Sequence, residues 1–190
     1  MKCFIGIDLG STTTKAVILD ENLKELGHGI TNSRSNYDIA SAVAKQEAIV
    51  NARMKLVEQS LAEFPELSGR LEKILDSLER SFRLEQFMES LADLEMVCRN
   101  NAVGERFKGF EQGMSEALIE TFRKLRSEAP ELFAAGAKRK SDFFRDIAGS
   151  RYLAIGEAVA QEAGLAFDLM LNVYDRSIIE VENRITGENL

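Results

Sequence analysis

The chain has 190 residues, which is enough for one domain with a substantial core. Its formal charge of −7 and its pI near 5.0 argue against a protein that binds nucleic acid through general electrostatic attraction. Cys3 and Cys98 lie far apart and form no CxxC or Cys/His motif, which excludes a disulfide framework and a cysteine metal site within one chain. The sequence contains no signal peptide or membrane-length apolar segment, so we expect a cytoplasmic protein.

The first 35 residues have the pattern of a small β-sheet. Apolar runs at 3–8 and 15–19, and a weaker run at 24–30, have strand length and are separated by short polar segments rich in turn residues. Parallel pairing would need longer crossover connections, so the sequence predicts a three-stranded antiparallel meander.

From Asp38 onward the apolar residues recur at helical spacing, and Asp38 is the predicted N-cap of the first helix. We expect roughly five to seven helices, with breaks at Pro65, Pro130, Gly149 and Gly164. The predicted fold is therefore α/β, or α+β by proportion, with a β part at 1–35 and a helical part at 36–190. The predicted apolar face of the first helix consists of Ile39, Val43, Val50, Met54, Val57 and Leu61.

The segment around Asp8 carries the clearest chemical pattern in the chain. Asp8 ends an apolar strand and is followed by a glycine, four hydroxyl residues and a lysine, which are Gly10, Ser11, Thr12, Thr13, Thr14 and Lys15. Without a Cβ, glycine lets a phosphate approach the backbone, and consecutive amides in such a turn can bind an anion. Mg²⁺ between a phosphate and the carboxylate would explain why an acidic residue lies there. The pattern therefore favours a metal–nucleotide loop.

The segment has two other interpretations. A P-loop is excluded because its lysine opens a helix, whereas Lys15 begins an apolar run of strand type. The segment could also be a tight hairpin whose Asp and Thr side chains only satisfy the backbone of the turn.

Residues Ile5 to Lys15 resemble the first phosphate motif of the superfamily that contains acetate kinase, sugar kinases, Hsp70 and actin. Within it, the segment is most similar to the ATPase family of benzoyl-CoA reductase subunits and 2-hydroxyacyl-CoA dehydratase activators. Residues 29–38, the helical region that follows and residues 182–189 are similar to the larger ATP-binding subunit of benzoyl-CoA reductase.

The resemblance implies a ribonuclease H-like ATPase domain that begins at 1–35 and a helical insertion or interaction region at 36–190. Asp8 would be the catalytic residue and Mg²⁺ ligand, while residues 10–15 would hold the phosphates of ATP. In the family, ATP hydrolysis drives low-potential electron transfer for acyl-CoA reduction, and two ATPase subunits share a [4Fe-4S] cluster. The implied partners are a second ATPase subunit, substrate-reducing subunits and a ferredoxin-type electron donor, without nucleic acid or membrane.

The sequence also departs from the family pattern. Residues 146–150 have the spacing D-x-x-G rather than the D-x-G of a second phosphate loop, and residues 153–156 only faintly match an adenosine motif. Neither cysteine lies in the context of a cluster ligand, and we expect Cys3 and Cys98 to be small core residues. We therefore expect an N-terminal part of a longer subunit that is not a competent ATPase alone. The alternatives are a fragment of a small-molecule kinase and a non-enzymatic helical interaction module.

Overall fold

The computed structural model describes residues 2–33, 36–138, 141 and 143–187, with side chains described as far as Glu182. This part of the chain is mostly helical (68%) and contains a small three-stranded antiparallel sheet, which confirms the α+β class. The chain divides into two compact units, the first formed mainly by residues up to 76 and the second by residues 77–181.

The sheet has the predicted meander topology, with strands β1 (Cys3–Leu9), β2 (Thr13–Asp20) and β3 (Glu25–Asn32) in the order β1-β2-β3. Both pairings are antiparallel, and β2 lies in the centre. Strand β2 begins two residues before the predicted apolar run. Thr13 and Thr14 therefore belong to the strand, and only residues 10–12 connect β1 to β2.

Helix α1 (Tyr37–Ala62) packs on one face of the sheet and belongs to the same unit. The predicted division after residue 35 would separate α1 from the sheet on which it packs. The prediction that Asp38 is the N-cap is wrong, because Asn36 caps the helix by accepting hydrogen bonds from the Asp38 and Ile39 amides, both at 3.1 Å. Asp38 lies in the first turn, where a negative charge interacts favourably with the helix dipole.

The contact between α1 and the sheet is made by small residues and not by the predicted apolar face, of which only Val50 is buried. A Cβ on Gly27 would lie 2.3 Å from the Ala52 nitrogen, and a Cβ on Gly29 would lie 2.2 Å from the Ala44 oxygen. The backbones of β3 and α1 therefore touch, and larger side chains are displaced to the sides of the contact. The buried alanines of α1 recur every fourth residue on one face and are Ala40, Ala44, Ala48 and Ala52.

The remaining elements are α-helices with two short 3₁₀ turns. Gly164, with φ of +65°, follows the end of a helix as predicted. The predicted break at Pro130 lies two residues before the observed end of that helix at Leu132. Gly149 does not break a helix as predicted, and its missing Cβ leaves room for the Tyr174 hydroxyl, 3.0 Å from where a Cβ would be. The elements are a turn at Pro65–Leu67, α2 (Leu71–Asn101), a turn at Glu105–Phe107, α3 (Glu111–Leu132), α4 (Phe144–Glu162) and α5 (Phe167–Gly187).

The second unit has its own apolar core, to which α2, α3, α4 and α5 contribute. The Tyr152 ring stacks on the Tyr174 ring with centroids 4.4 Å apart, and the Tyr152 hydroxyl donates to the Met170 carbonyl oxygen at 3.1 Å. Among the described residues, no helix has the length and apolar character needed to cross a membrane. Apolar residues recur at helical spacing in the second half of α2 and in α3, and the structure buries them in this core: Phe87, Leu91, Leu94, Cys98, Met114, Leu118, Phe122 and Leu125.

The close contact between β3 and α1 generates a stability prediction. We expect Gly29→Ala to lower the free energy of unfolding by about 2–3 kcal/mol, because the new methyl group would meet backbone atoms that cannot rotate away. Gly69→Ala is the matched control, since a Cβ there meets nothing within 4 Å. Urea unfolding followed by circular dichroism would measure both variants, and equal stabilities would contradict the backbone contact.

Candidate phosphate-binding hairpin

Asp8 and Lys15 are directly opposite each other on β1 and β2. Directly paired residues in an antiparallel sheet have Cα atoms about 4.5–5.5 Å apart and project from the same face. Because Ala16 and Ile18 pack against α1, alternation along β2 places Lys15 on the face that α1 does not cover, called the open face. Both charged side chains are exposed. In the described part of the chain they form an ion pair neither with each other nor with any other residue.

The connection from β1 to β2 is a tight turn that leaves hydrogen-bond donors exposed. The Gly10 amide donates to the Thr13 carbonyl oxygen at 3.1 Å, and a Cβ on Gly10 would lie only 2.6 Å from that oxygen. Ser11 and Thr12 are exposed, and their amides and hydroxyls have no hydrogen-bond partner among the described residues. Amides left without a partner in a turn can bind an anion.

The four predicted hydroxyl residues do not all have the same environment. Thr13 shares the open face with Lys15, and its hydroxyl makes no hydrogen bond within the described ranges. Thr14 lies on the face covered by α1 and is completely buried, with its hydroxyl oxygen 2.9 Å from Ser33 Oγ. Asp8, Thr13 and Lys15 thus lie on the open face, the turn residues Ser11 and Thr12 are exposed, and Thr14 lies on the face that α1 covers.

Ser33 is the residue at this site that the sequence analysis did not select. It follows β3, is completely buried and donates from Oγ to the Gly10 carbonyl oxygen at 2.5 Å. Its amide donates to the Thr12 carbonyl oxygen at 3.0 Å. The strand register could have identified Ser33, because Thr13 pairs with Asn32 and the residue after Asn32 therefore reaches the turn.

The hairpin fits a metal–nucleotide ligand in part. Asp8 supplies one carboxylate, and the described residues contain no group of three or more His, Cys, Asp or Glu side chains that could hold a metal ion. Mg²⁺ at nucleotide sites commonly uses one or two protein carboxylates together with phosphate oxygens and water. A single carboxylate beside exposed amides therefore suits a cation that arrives with phosphate, and not a site made entirely by protein groups.

The two segments that faintly matched the later nucleotide motifs are helical. Residues 146–150 and 153–156 all lie within α4. The Asp146 carboxylate accepts a hydrogen bond from the Ser141 hydroxyl at 2.8 Å in the first turn of this helix. Neither segment forms a phosphate loop.

The two cysteines differ in accessibility, and the prediction that both are core residues is wrong for Cys3. Cys3 is exposed, like every residue of β1, because the sheet residues buried under α1 come from β2 and β3, whereas Cys98 is buried in the helical core. Burial raises the pKa of the Cys98 thiol to about 12. A thiol that stays protonated is a poor metal ligand, since iron–sulfur ligation requires the thiolate.

No protein-family model, curated protein or solved structure matches this chain.

The contrast between the cysteines predicts their reactivity. At pH 8, a disulfide reagent such as DTNB should titrate Cys3 rapidly in the folded chain, while the thiolate fraction of Cys98 is about three orders of magnitude below that of an ordinary thiol. Unfolding in denaturant should release the second thiol, and Cys3→Ser should abolish the rapid reaction. Two rapid thiols in the folded chain would contradict the burial of Cys98.

Proposed function

We propose that the hairpin at 8–15 is the phosphate- and Mg²⁺-binding part of an ATP site. The observation that carries this proposal has two parts: the exposed Ser11 and Thr12 have amides with no partner among the described residues, and the strands on either side carry Asp8 and Lys15 opposite each other. If the polar side chains only satisfied the backbone of the turn, those of Asp8, Ser11 and Thr12 would hydrogen-bond within it. Among the described residues they make no such hydrogen bond, and all three residues are exposed.

Each exposed residue has a separate role in the proposed site. The Asp8 carboxylate would hold Mg²⁺ directly or through water, and Lys15 would offset phosphate charge. The Ser11 and Thr12 amides and hydroxyls, with the Thr13 hydroxyl, would donate to phosphate oxygens. Gly10 allows the tight turn, and the buried Thr14 stabilises it through its hydrogen bond with Ser33 Oγ. The bound Mg²⁺ would supply charge neutralisation at the phosphates.

The hairpin would form only part of the full site. All seven residues of β1 are exposed, although the strand is mainly apolar, with Phe4 and Leu9 each 54% exposed. An exposed apolar edge strand can pair with other chains and aggregate, so proteins usually cover it. In the proposed ribonuclease H-like domain, residues other than those described would cover β1 and complete the contacts to phosphate and adenosine.

At the level of the whole protein, we propose an ATP-binding subunit of a benzoyl-CoA-reductase-type complex, on the basis of the sequence resemblance. ATP hydrolysis would be coupled there to low-potential electron transfer toward an acyl-CoA. The [4Fe-4S] cluster would be held by residues outside the described part of this chain. The second ATPase subunit, the substrate-reducing subunits and a ferredoxin-type donor would be the partners, with the helical unit as a contact surface.

A small-molecule kinase with the same first phosphate loop is the second candidate. Such an enzyme needs a second acidic group near the phosphates to activate the substrate hydroxyl. The acidic group would come from a second phosphate motif, and the segment nearest to that motif, residues 146–150, lies within α4. This favours the ATPase subunit. A purely helical interaction module is distinguished by the Asp8→Asn variant, which would then leave nucleotide-dependent behaviour unchanged.

Calorimetric titration with Mg-ATP tests the proposed site. We expect a Kd on the order of 1 mM, because a partial site contributes only about 4 kcal/mol of binding free energy. Asp8→Asn and Lys15→Gln should each weaken binding about tenfold, since each removes one charge-assisted contact of about 1.5 kcal/mol.

Two charge-matched controls lie in the β2–β3 turn at the opposite end of the sheet, where Glu21 and Lys24 are exposed. Glu21→Gln and Lys24→Gln should bind Mg-ATP as the unaltered chain does. Equal binding by the hairpin variants and these controls would contradict the proposed site. So would the absence of binding by the unaltered chain at a Mg-ATP concentration about tenfold above the expected Kd of ~1 mM.

A further inference from the structure

Ser33 joins the end of β3 to the turn between β1 and β2. Its amide reaches the Thr12 carbonyl oxygen at 3.0 Å, and its hydroxyl lies 2.5 Å from the Gly10 carbonyl oxygen and 2.9 Å from the Thr14 hydroxyl. Ser33 and Thr14 are both completely buried. The turn is therefore held from inside by one side chain that comes from outside the hairpin.

The direction of these hydrogen bonds follows from proton counting. A serine hydroxyl has one proton, and a carbonyl oxygen can only accept, so the Ser33 proton is donated to Gly10. Ser33 Oγ must then accept the proton of the Thr14 hydroxyl. Thr14 thus orients the Ser33 hydroxyl, and the Ser33 hydroxyl in turn orients the Gly10 carbonyl.

The orientation of this carbonyl determines where the next amide points. The peptide bond between Gly10 and Ser11 is trans, so its C=O and N–H groups point in opposite directions. Because Ser33 holds the Gly10 oxygen inward, the Ser11 N–H faces outward, where it has no partner among the described residues. Rotation of this peptide takes place about ψ of Gly10 and φ of Ser11, and Gly10 has no Cβ to restrict its ψ.

We propose that Ser33 is a positioning residue for the phosphate loop: its hydroxyl holds the Gly10–Ser11 peptide with the Ser11 amide toward a phosphoryl oxygen. Rotation of this peptide would replace an anion-binding donor by a carbonyl oxygen that repels phosphate. This inference rests on the proposed function of the hairpin as a Mg-nucleotide site. Ser33 itself would not contact the ligand.

The primary test compares Ser33→Ala with a matched control in the helical unit. Ser177 is also a completely buried serine, and its hydroxyl donates to the Val173 carbonyl oxygen at 2.7 Å. At a temperature where circular dichroism shows each variant to be folded, Ser33→Ala should raise the Kd for Mg-ATP about tenfold, whereas Ser177→Ala should leave it unchanged. Without nucleotide, only Ser33→Ala should shift the NMR resonance of the Ser11 amide.

A second pair of variants keeps the test decisive if Ser33→Ala does not fold. Thr14→Val preserves the shape of the side chain but removes its donated hydrogen bond, while Thr14→Ser retains the hydroxyl. We expect Thr14→Val to raise the Kd for Mg-ATP severalfold relative to Thr14→Ser and to shift the Ser11 amide resonance. Identical Kd values for the two Thr14 variants would overturn the inference.

The outcomes separate the positioning role from the function of the site. If Asp8→Asn weakens Mg-ATP binding but Ser33→Ala leaves the Kd within twofold, the positioning role is overturned and the nucleotide site stands. If neither Asp8→Asn nor Ser33→Ala changes the Kd, the proposed nucleotide site fails and the positioning role fails with it.

Discussion

The backbone of α1 lies directly against Gly27 and Gly29 of β3, and the arrangement of the hairpin depends on this contact. It assigns one face of the sheet to the helix and leaves the other face open. Since side chains alternate along a strand, Lys15 lies on the open face together with Asp8, its partner on β1. Thr14 lies on the face that α1 covers. A Cβ on either glycine would separate helix and sheet and loosen this assignment.

The hairpin combines a buried polar interior with an exposed polar exterior. Inside, the Thr14 and Ser33 hydroxyls and the Gly10 carbonyl satisfy one another, which offsets the cost of burying polar groups. Outside, the Ser11 and Thr12 amides remain available to a ligand. The interior hydrogen bonds reduce the freedom of the turn before any ligand binds, and such preorganisation lowers the cost of binding.

The sequence predicted the meander and the core residues of α2 and α3 because alternation and helical spacing of large apolar residues report burial directly. It did not predict the alanine contact of α1, since pattern analysis favours large side chains and this interface requires small ones. Around the site, the residue types and the pairing of Asp8 with Lys15 follow from the local sequence. The burial of Thr14 and the role of Ser33 depend on which face α1 covers and on the β3 register, neither of which a single motif contains.

The central claim is that the exposed amides of the β1–β2 turn bind phosphate. An NMR titration of the ¹⁵N-labelled chain with millimolar Mg-ATP tests it most directly, because weak binding is detectable and each amide is observed separately. The account predicts shifts that saturate together at Ser11 and Thr12, with none at Leu23 and Lys24 in the opposite turn. Unchanged Ser11 and Thr12 resonances, or equal shifts in both turns, would contradict it.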